Sequence, residues 1–267
     1  MMSDQPDGLF SVEDQIVLLT GGSRGIGAAI AKGFASRGAR VIICGREMET
    51  LQNAAAGMRG KHPVRPWQCD IAKPEEIQKM VAGTENEVGP IDTLVNVAGV
   101  NRRKPALEMS EEDFDFILDI NLKGAFVVSQ AVGKGMVERG KGCQIHIASL
   151  TTDRPLTHVL PYSTSKAGIG QMTRALAQEW GPHGVRVNAL APGFILTDLT
   201  QKMWSFPEMQ AWADANTPQK RLGTPEDMVG TALFLASPAS QIMTGQILYV
   251  DGGFNAGWTW PIPANSQ

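Results

Sequence analysis

The 267 residues carry a net charge of −3, with 43% hydrophobic and 19% charged side chains, the balance of an ordinary soluble globular chain with ample apolar material for a core. No Lys/Arg run marks a nucleic-acid face, and "MMSDQPDGLF" lacks the basic start and apolar centre of a signal peptide. No apolar run reaches the ~18 residues that a membrane span needs, so neither nucleic acid nor membrane is an expected partner and a cytoplasmic location is expected.

In chain order, short β-branched runs alternate with longer amphipathic ones. "IVLLT" (16–20), "RVIIC" (40–44), "VRPWQC" (64–69), "DTLVNVAG" (92–99), "CQIHIAS" (143–149), "VRVNAL" (185–190) and "ILYV" (247–250) read as strands. Most are apolar almost throughout, as expected for a parallel sheet covered on both faces. Helical periodicity lies between them, near 25–37, 47–58, 74–88, 111–138, 161–181 and 225–236. "TPEDM" at 224–228 is a helix start, with Thr224 as N-cap, Pro225 in the first turn and acids behind it. Strict alternation predicts an α/β fold: a doubly wound, Rossmann-type parallel sheet of seven strands with helices on both faces. No linker or repeat divides the chain, which reads as one domain. Its core runs from about 12 to 254, with a variable substrate lid over 194–220 and a tail over 255–267. Cys44, Cys69 and Cys143 lie far apart in strand-like runs and read as reduced core thiols. His62, His146, His158 and His183 show no metal-ligand spacing, so no metal site is expected.

Three stretches carry chemistry. "TGGSRGIG" (20–27) follows the first strand and opens the first helix. Gly21, Gly25 and Gly27 would let the backbone turn sharply and bring a pyrophosphate to a helix N-terminus; alone, such a cluster can equally be a tight turn. "PYSTSK" holds one of only two tyrosines, with Lys166 four residues after Tyr162. On a helix the two share a face, and a cation beside a phenol lowers its pKa from about 10. The plainer reading is a half-buried tyrosine and a surface lysine. Last, "NRRKP" places Arg102 and Arg103 directly after the fourth strand.

Taken together, "TGGSRGIG", "NVAG" (96–99), Ser149 thirteen residues before Tyr162, "YSTSK" and "PGFILT" (192–197) resemble the short-chain dehydrogenase/reductase family from about residue 12 to 254. The resemblance implies a catalytic set of Asn121, Ser149, Tyr162 and Lys166. Tyr162 would be the general acid/base and Lys166 its pKa-lowering partner, which also holds the nicotinamide ribose. Ser149 would orient the substrate oxygen, and Asn121 would sit at a backbone kink holding a relay water. It further implies cofactor contacts from Gly21, Ser23, Arg24, Gly25, Ile26 and Gly27, from Asp70 and Ile71, and from Asn96, Ala98 and Gly99. Pro192, Gly193, Ile195 and Thr197 would close over the nicotinamide and diphosphate. Val97 departs from the pattern, which often has a second asparagine there.

Cofactor choice is partly readable from the residues. An NAD-selecting fold places an acid at the end of the second strand; here Gly45 stands there, followed by Arg46, with Arg24 in the glycine loop. Two guanidiniums and no acid point to NADP, with NAD possible because Glu47 follows. "RR-x-P" is similar to the gluconate 5-dehydrogenase and 2-dehydro-3-deoxygluconate dehydrogenase subgroup. The expected substrate is then a sugar acid held by Arg102 or Arg103, adjacent residues of an extended loop that tend to point opposite ways. A solvated basic loop is the alternative at those two positions. Other readings are a reductase of 3-oxoacyl thioesters or neutral carbonyls, and a cofactor-binding sensor without turnover. By resemblance the chain would be a homotetramer.

Overall fold

The computed structural model describes residues 8–198 and 200–258. Seven parallel strands, β1 (Ile16–Thr20), β2 (Arg40–Gly45), β3 (Arg65–Gln68), β4 (Thr93–Asn96), β5 (Gly142–Ile147), β6 (Val185–Pro192) and β7 (Ile247–Val250), form one sheet in the order β3-β2-β1-β4-β5-β6-β7. The central strands β1, β2 and β4 are buried almost throughout because both faces are covered, whereas the edge strand β3 exposes Arg65 and Gln68. In β1, Val17 and Leu19 face one core cluster and Ile16 and Leu18 the other; in β2, Val41 and Ile43 divide from Ile42 and Cys44 in the same way.

One face carries α1 (Gly25–Ala35) and α2 (Met48–Ala56), which contribute Ile30, Phe34 and Leu51. On the other face lies α3 (Pro74–Glu87), with Ile77 and Met80. The long stretch over 111–138 also covers that face. It comprises α4 (Glu111–Leu118), a π-helical turn (Asp119–Gly124) and α5 (Ala125–Glu138). By length and composition this rod could cross a membrane, with mean hydropathy 1.2, which the count of consecutive apolar residues had not suggested; 44% of its apolar window is buried in the fold. Then come α6 (Leu160–Trp180), α7 (Gln201–Trp204), α8 (Pro207–Asn216) and α9 (Val229–Ala236). Thr224 is the N-cap as expected and forms a capping box with Asp227, but the turn that they cap, Pro225–Met228, is 3₁₀ before α9 takes over.

The strand order reverses direction between β1 and β4. In an open parallel sheet the loops after two such strands diverge to opposite faces and leave a crevice at the carboxyl edge. The glycine loop follows β1 and "NVAG" follows β4, so both meet there.

Candidate active site

Backbone sterics shape the floor of the crevice. Gly25 has φ +52°, and a β-carbon at Gly27 would stand 2.1 Å from the Gly21 carbonyl oxygen. Any larger residue at 27 would push the first turn of α1 off the loop. No side chain caps that helix start, whose N-cap is Arg24, so its first N–H groups stay available to an anion. Ser23 and Ile26 are half-buried in the same turn. Thr197, in the segment after β6, reaches across to within 3.5 Å of where a Gly25 β-carbon would be. Pro192 ends β6, Gly193 packs against Asp251, and Ile195 is buried and pairs with Gly223.

Asn96 is buried and structural. It donates to the Ala125 carbonyl and to Ser129 Oγ (3.2 and 2.9 Å), while Thr20 Oγ1 takes the N–H groups of Val97 and Ala98 (3.0 and 3.2 Å). Gly99 then passes close to Lys166, since a β-carbon there would lie 3.7 Å from Nζ.

Four further residues converge where β5, the π turn and α6 meet. Ser149 Oγ, at the exit of β5, accepts from Thr151 N–H (3.1 Å) and Thr151 Oγ1–H (3.0 Å), which leaves its own proton free to act toward Tyr162, whose ionised form it favours. One helical turn on, Lys166 Nζ sits 5.7 Å from the Tyr162 ring centre and donates to the Ile147 carbonyl at 2.6 Å. Burial lowers the Lys166 pKa to about 8. Burial also raises the Tyr162 hydroxyl above its usual value, opposed first by the Ser149 hydrogen bond and then by the positive charge of Arg103. Tyr162 and Lys166 share a face as expected. The Lys166 ammonium is turned to the Ile147 carbonyl on the inner side of that face. Asn121 lies in the π turn, where the helix does break register. It holds Val100 from both sides, taking its N–H at 2.7 Å and giving to its carbonyl at 2.9 Å, and it donates to Ser165 Oγ at 3.1 Å.

At the rim the two arginines part. Arg102 pairs with Asp113 at 2.5 Å and lies 4.0 Å over the Phe116 ring, so it is engaged by α4 and does not stand ready for a substrate. Lys104 closes on the other Asp113 oxygen. Both cations hold the Asp113 carboxyl below its usual range, Lys104 the more strongly. Arg103 has no partner among the described residues, and its charge reaches Tyr162. The 194–220 segment folds into α7 and α8 around an aromatic cluster: Phe194 meets Trp204, Trp212 and Phe254 edge-on at 5.2, 5.5 and 4.9 Å. Of the tail, Trp258 lies 4.4 Å from the Arg154 guanidinium; Trp260 and the rest lie outside the described residues.

A family model described as enoyl-(acyl carrier protein) reductase matches residues 21–255. The chain belongs to the short-chain dehydrogenase/reductase family. Among similar dehydrogenases, gluconate 5-dehydrogenase of Gluconobacter oxydans is 38% identical, covering 93% of this chain and 97% of the relative. D-threitol dehydrogenase of Mycolicibacterium smegmatis is 40% identical, covering 92% and 94%. A crystal structure of gluconate 5-dehydrogenase from Burkholderia cenocepacia, in complex with NADP and tartrate, superposes with a TM-score of 0.89 at 32% identity, over 94% of this chain and 98% of that one.

The residues of this short-chain dehydrogenase/reductase fit a dinucleotide with a 2′-phosphate. The uncapped start of α1 faces the crevice, and the exposed guanidiniums of Arg24 and Arg46 have no partners among the described residues. Asp70 Oδ1 accepts from Ala72 N–H (3.0 Å), and the Ile71 side chain is buried, so Ile71 offers the crevice backbone alone. Sequence reasoning missed Asp113, which anchors the rim, and Ser165, which receives Asn121. Asp113 carries no signal of its own in the sequence, because no local pattern says which cations an acid will meet.

Proposed function

We propose that this protein is an NADP-dependent oxidoreductase that moves a hydride between the nicotinamide and a secondary alcohol or ketone of a sugar acid, of the gluconate or 5-ketogluconate type. The observation that carries the substrate reading is Arg103. Among the described residues it is the rim arginine left unpaired, on the side where its charge reaches Tyr162, while Arg102 is held by Asp113. A guanidinium so placed holds a carboxylate by two parallel hydrogen bonds. The names of the similar gluconate and ketogluconate enzymes support it.

When bound, the nicotinamide supplies the hydride donor or acceptor. Tyr162 gives a proton to the substrate oxygen in reduction and takes it in oxidation. Ser149, whose own proton is not used by Thr151, gives that proton's hydrogen bond to the reacting oxygen and orients it beside Tyr162. Lys166, fixed below the tyrosine ring, grips the ribose, and Asn121 keeps the rim loop and α6 in register. Gly21 to Gly27 and Thr197 hold the diphosphate, and Arg24 and Arg46 hold the 2′-phosphate.

The test is a pair of variants. Arg103→Ala is expected to raise KM for 5-ketogluconate about tenfold or more, the worth of a charged hydrogen bond of about 1.5–3 kcal/mol, and to leave KM for a neutral polyol unchanged. Arg102→Ala should not separate the two substrate types. The D-threitol dehydrogenase relative favours a second reading, a neutral polyol; turnover of D-threitol equal in both variants, with none of the sugar acid, would establish it.

We read the chain as one domain and as a homotetramer in the cytoplasm. Three buried free cysteines support a reducing compartment. Phe126 on α5 and Leu160 at the start of α6, apolar yet exposed, support a subunit contact along those helices. A monomer by light scattering at micromolar concentration would refute the tetramer.

A further inference from the structure

At the carboxyl ends of β2 and β3, Arg46, Gln68, Asp70, Lys73 and Glu76 line one pocket of ≈ 440 Å³. Gln68 stands opposite Gly45 in the β2–β3 register. There the main-chain ladder ends with Cys69 N–H donating to the Gly45 carbonyl at 2.8 Å. One residue further, the Gln68 side chain takes over: its Nε2 donates to the Arg46 carbonyl at 2.9 Å. The backbone that carries the Arg46 side chain is therefore tied to β3 beyond the last strand bond.

The same pocket holds two acids, Asp70 engaged on one oxygen and Glu76 on both. Asp70 Oδ1 accepts the Ala72 N–H at 3.0 Å, within its own turn. Glu76 takes the Lys73 ammonium at 2.8 Å on one oxygen and the Asp70 N–H at 2.8 Å on the other. Among the described residues, Arg46 is left with an unpaired guanidinium. A loose carboxylate on the wall facing it would pair with that arginine or repel an incoming phosphate.

We infer that the end of β3 and the first turn of α3 tune recognition of the cofactor's 2′-phosphate, with Gln68 positioning Arg46 and Lys73 holding Glu76 away from it. The inference rests on the reading of Arg46 as a 2′-phosphate ligand. It places part of the cofactor selectivity on two residues outside the glycine loop and outside the β2 exit.

Calorimetric titration of the full chain with 2′,5′-ADP and with 5′-AMP tests it, because the two ligands differ only in the phosphate at issue. Arg46→Leu should weaken 2′,5′-ADP about tenfold or more and leave 5′-AMP within about twofold. Gln68→Met should weaken 2′,5′-ADP about threefold to tenfold, again sparing 5′-AMP. Lys73→Met should weaken it about threefold, and adding Glu76→Gln should restore wild-type affinity, because the acid that Lys73 restrains is gone. If Gln68→Met leaves the ratio of the two affinities unchanged while Arg46→Leu collapses it, the positioning role is wrong. A double variant as weak as Lys73→Met would mean that Lys73 touches the phosphate itself, which overturns its assigned role. Were Arg46→Leu to leave the ratio unchanged, the 2′-phosphate reading would fail and take the inference with it.

Discussion

Around the glycine loop, a β-carbon at Gly27 would come within 2.1 Å of the Gly21 carbonyl oxygen, so the path of the chain is decided by backbone against backbone. Around the rim, over residues 100–109, it is decided by side chains. Arg102 and Lys104 converge on Asp113, Arg102 stacks on Phe116, and Lys104 N–H donates to the His158 carbonyl at 3.0 Å. The first arrangement admits one residue type at each critical position. The second admits many charge patterns, each turning a different arginine toward the crevice. A family can keep its cofactor floor and vary its substrate by rewriting the rim, because the two regions draw on different physics.

That contrast can be broken from either side, beginning where both regions meet. Tyr162→Phe keeps the ring that packs beside Lys166 and removes the proton carrier, so turnover should fall about 10²- to 10⁴-fold with NADPH binding retained. Stopped-flow turnover beside a fluorescence titration reads both, and a rate near wild type would remove Tyr162 from the chemistry. Lys166→Ala should lose binding as well.

Gly27→Ala strikes the backbone-built floor alone. Forcing the β-carbon in should cost about 1–3 kcal/mol, seen as a melting temperature lower by several degrees and weaker dinucleotide binding. The discrimination between sugar acid and neutral polyol should survive in what activity is left; its loss would mean that floor and rim are one mechanical unit.

The pH profile separates the directions of reaction. Burial raises the Tyr162 pKa, so the phenolate is scarce at neutral pH. Oxidation, which needs it, should gain about tenfold per pH unit below that pKa, while reduction, which needs the phenol, stays flat. Lys166, lowered to about 8, keeps its charge below that value and loses it as pH rises through it. Cofactor affinity should weaken on the same rise. A flat oxidation rate between pH 7 and 9 would exclude Tyr162 as the titrating base.

Asp113→Asn disturbs only the rim. With the anchor weakened, Arg102 and Lys104 are released, and KM for the sugar acid should rise about threefold, the scale of a partly exposed ion pair, with dinucleotide affinity intact. A matching fall in dinucleotide affinity would show that Asp113 supports the floor too.

Much of this protein is written in local sequence. Each of the seven strands stands where a strand was read, and central ones such as β1 and β4 were legible because a strand covered on both faces must be apolar on both. The glycine loop was legible because no other residue fits its turns, and the Tyr162–Lys166 pair because four residues make about one helical turn. The tertiary structure decided what depends on distant partners. It split the 111–138 helix at a π turn so that Asn121 reaches Val100 and Ser165, and it gathered Phe194, Trp204, Trp212 and Phe254 into one cluster. It also committed Arg102 to Asp113 and left Arg103 unpaired among the described residues, although the two are adjacent and identical in type. Backbone sterics and periodicity act within a few residues and can be read along the chain, whereas charge pairing and aromatic packing act across whatever the fold brings together.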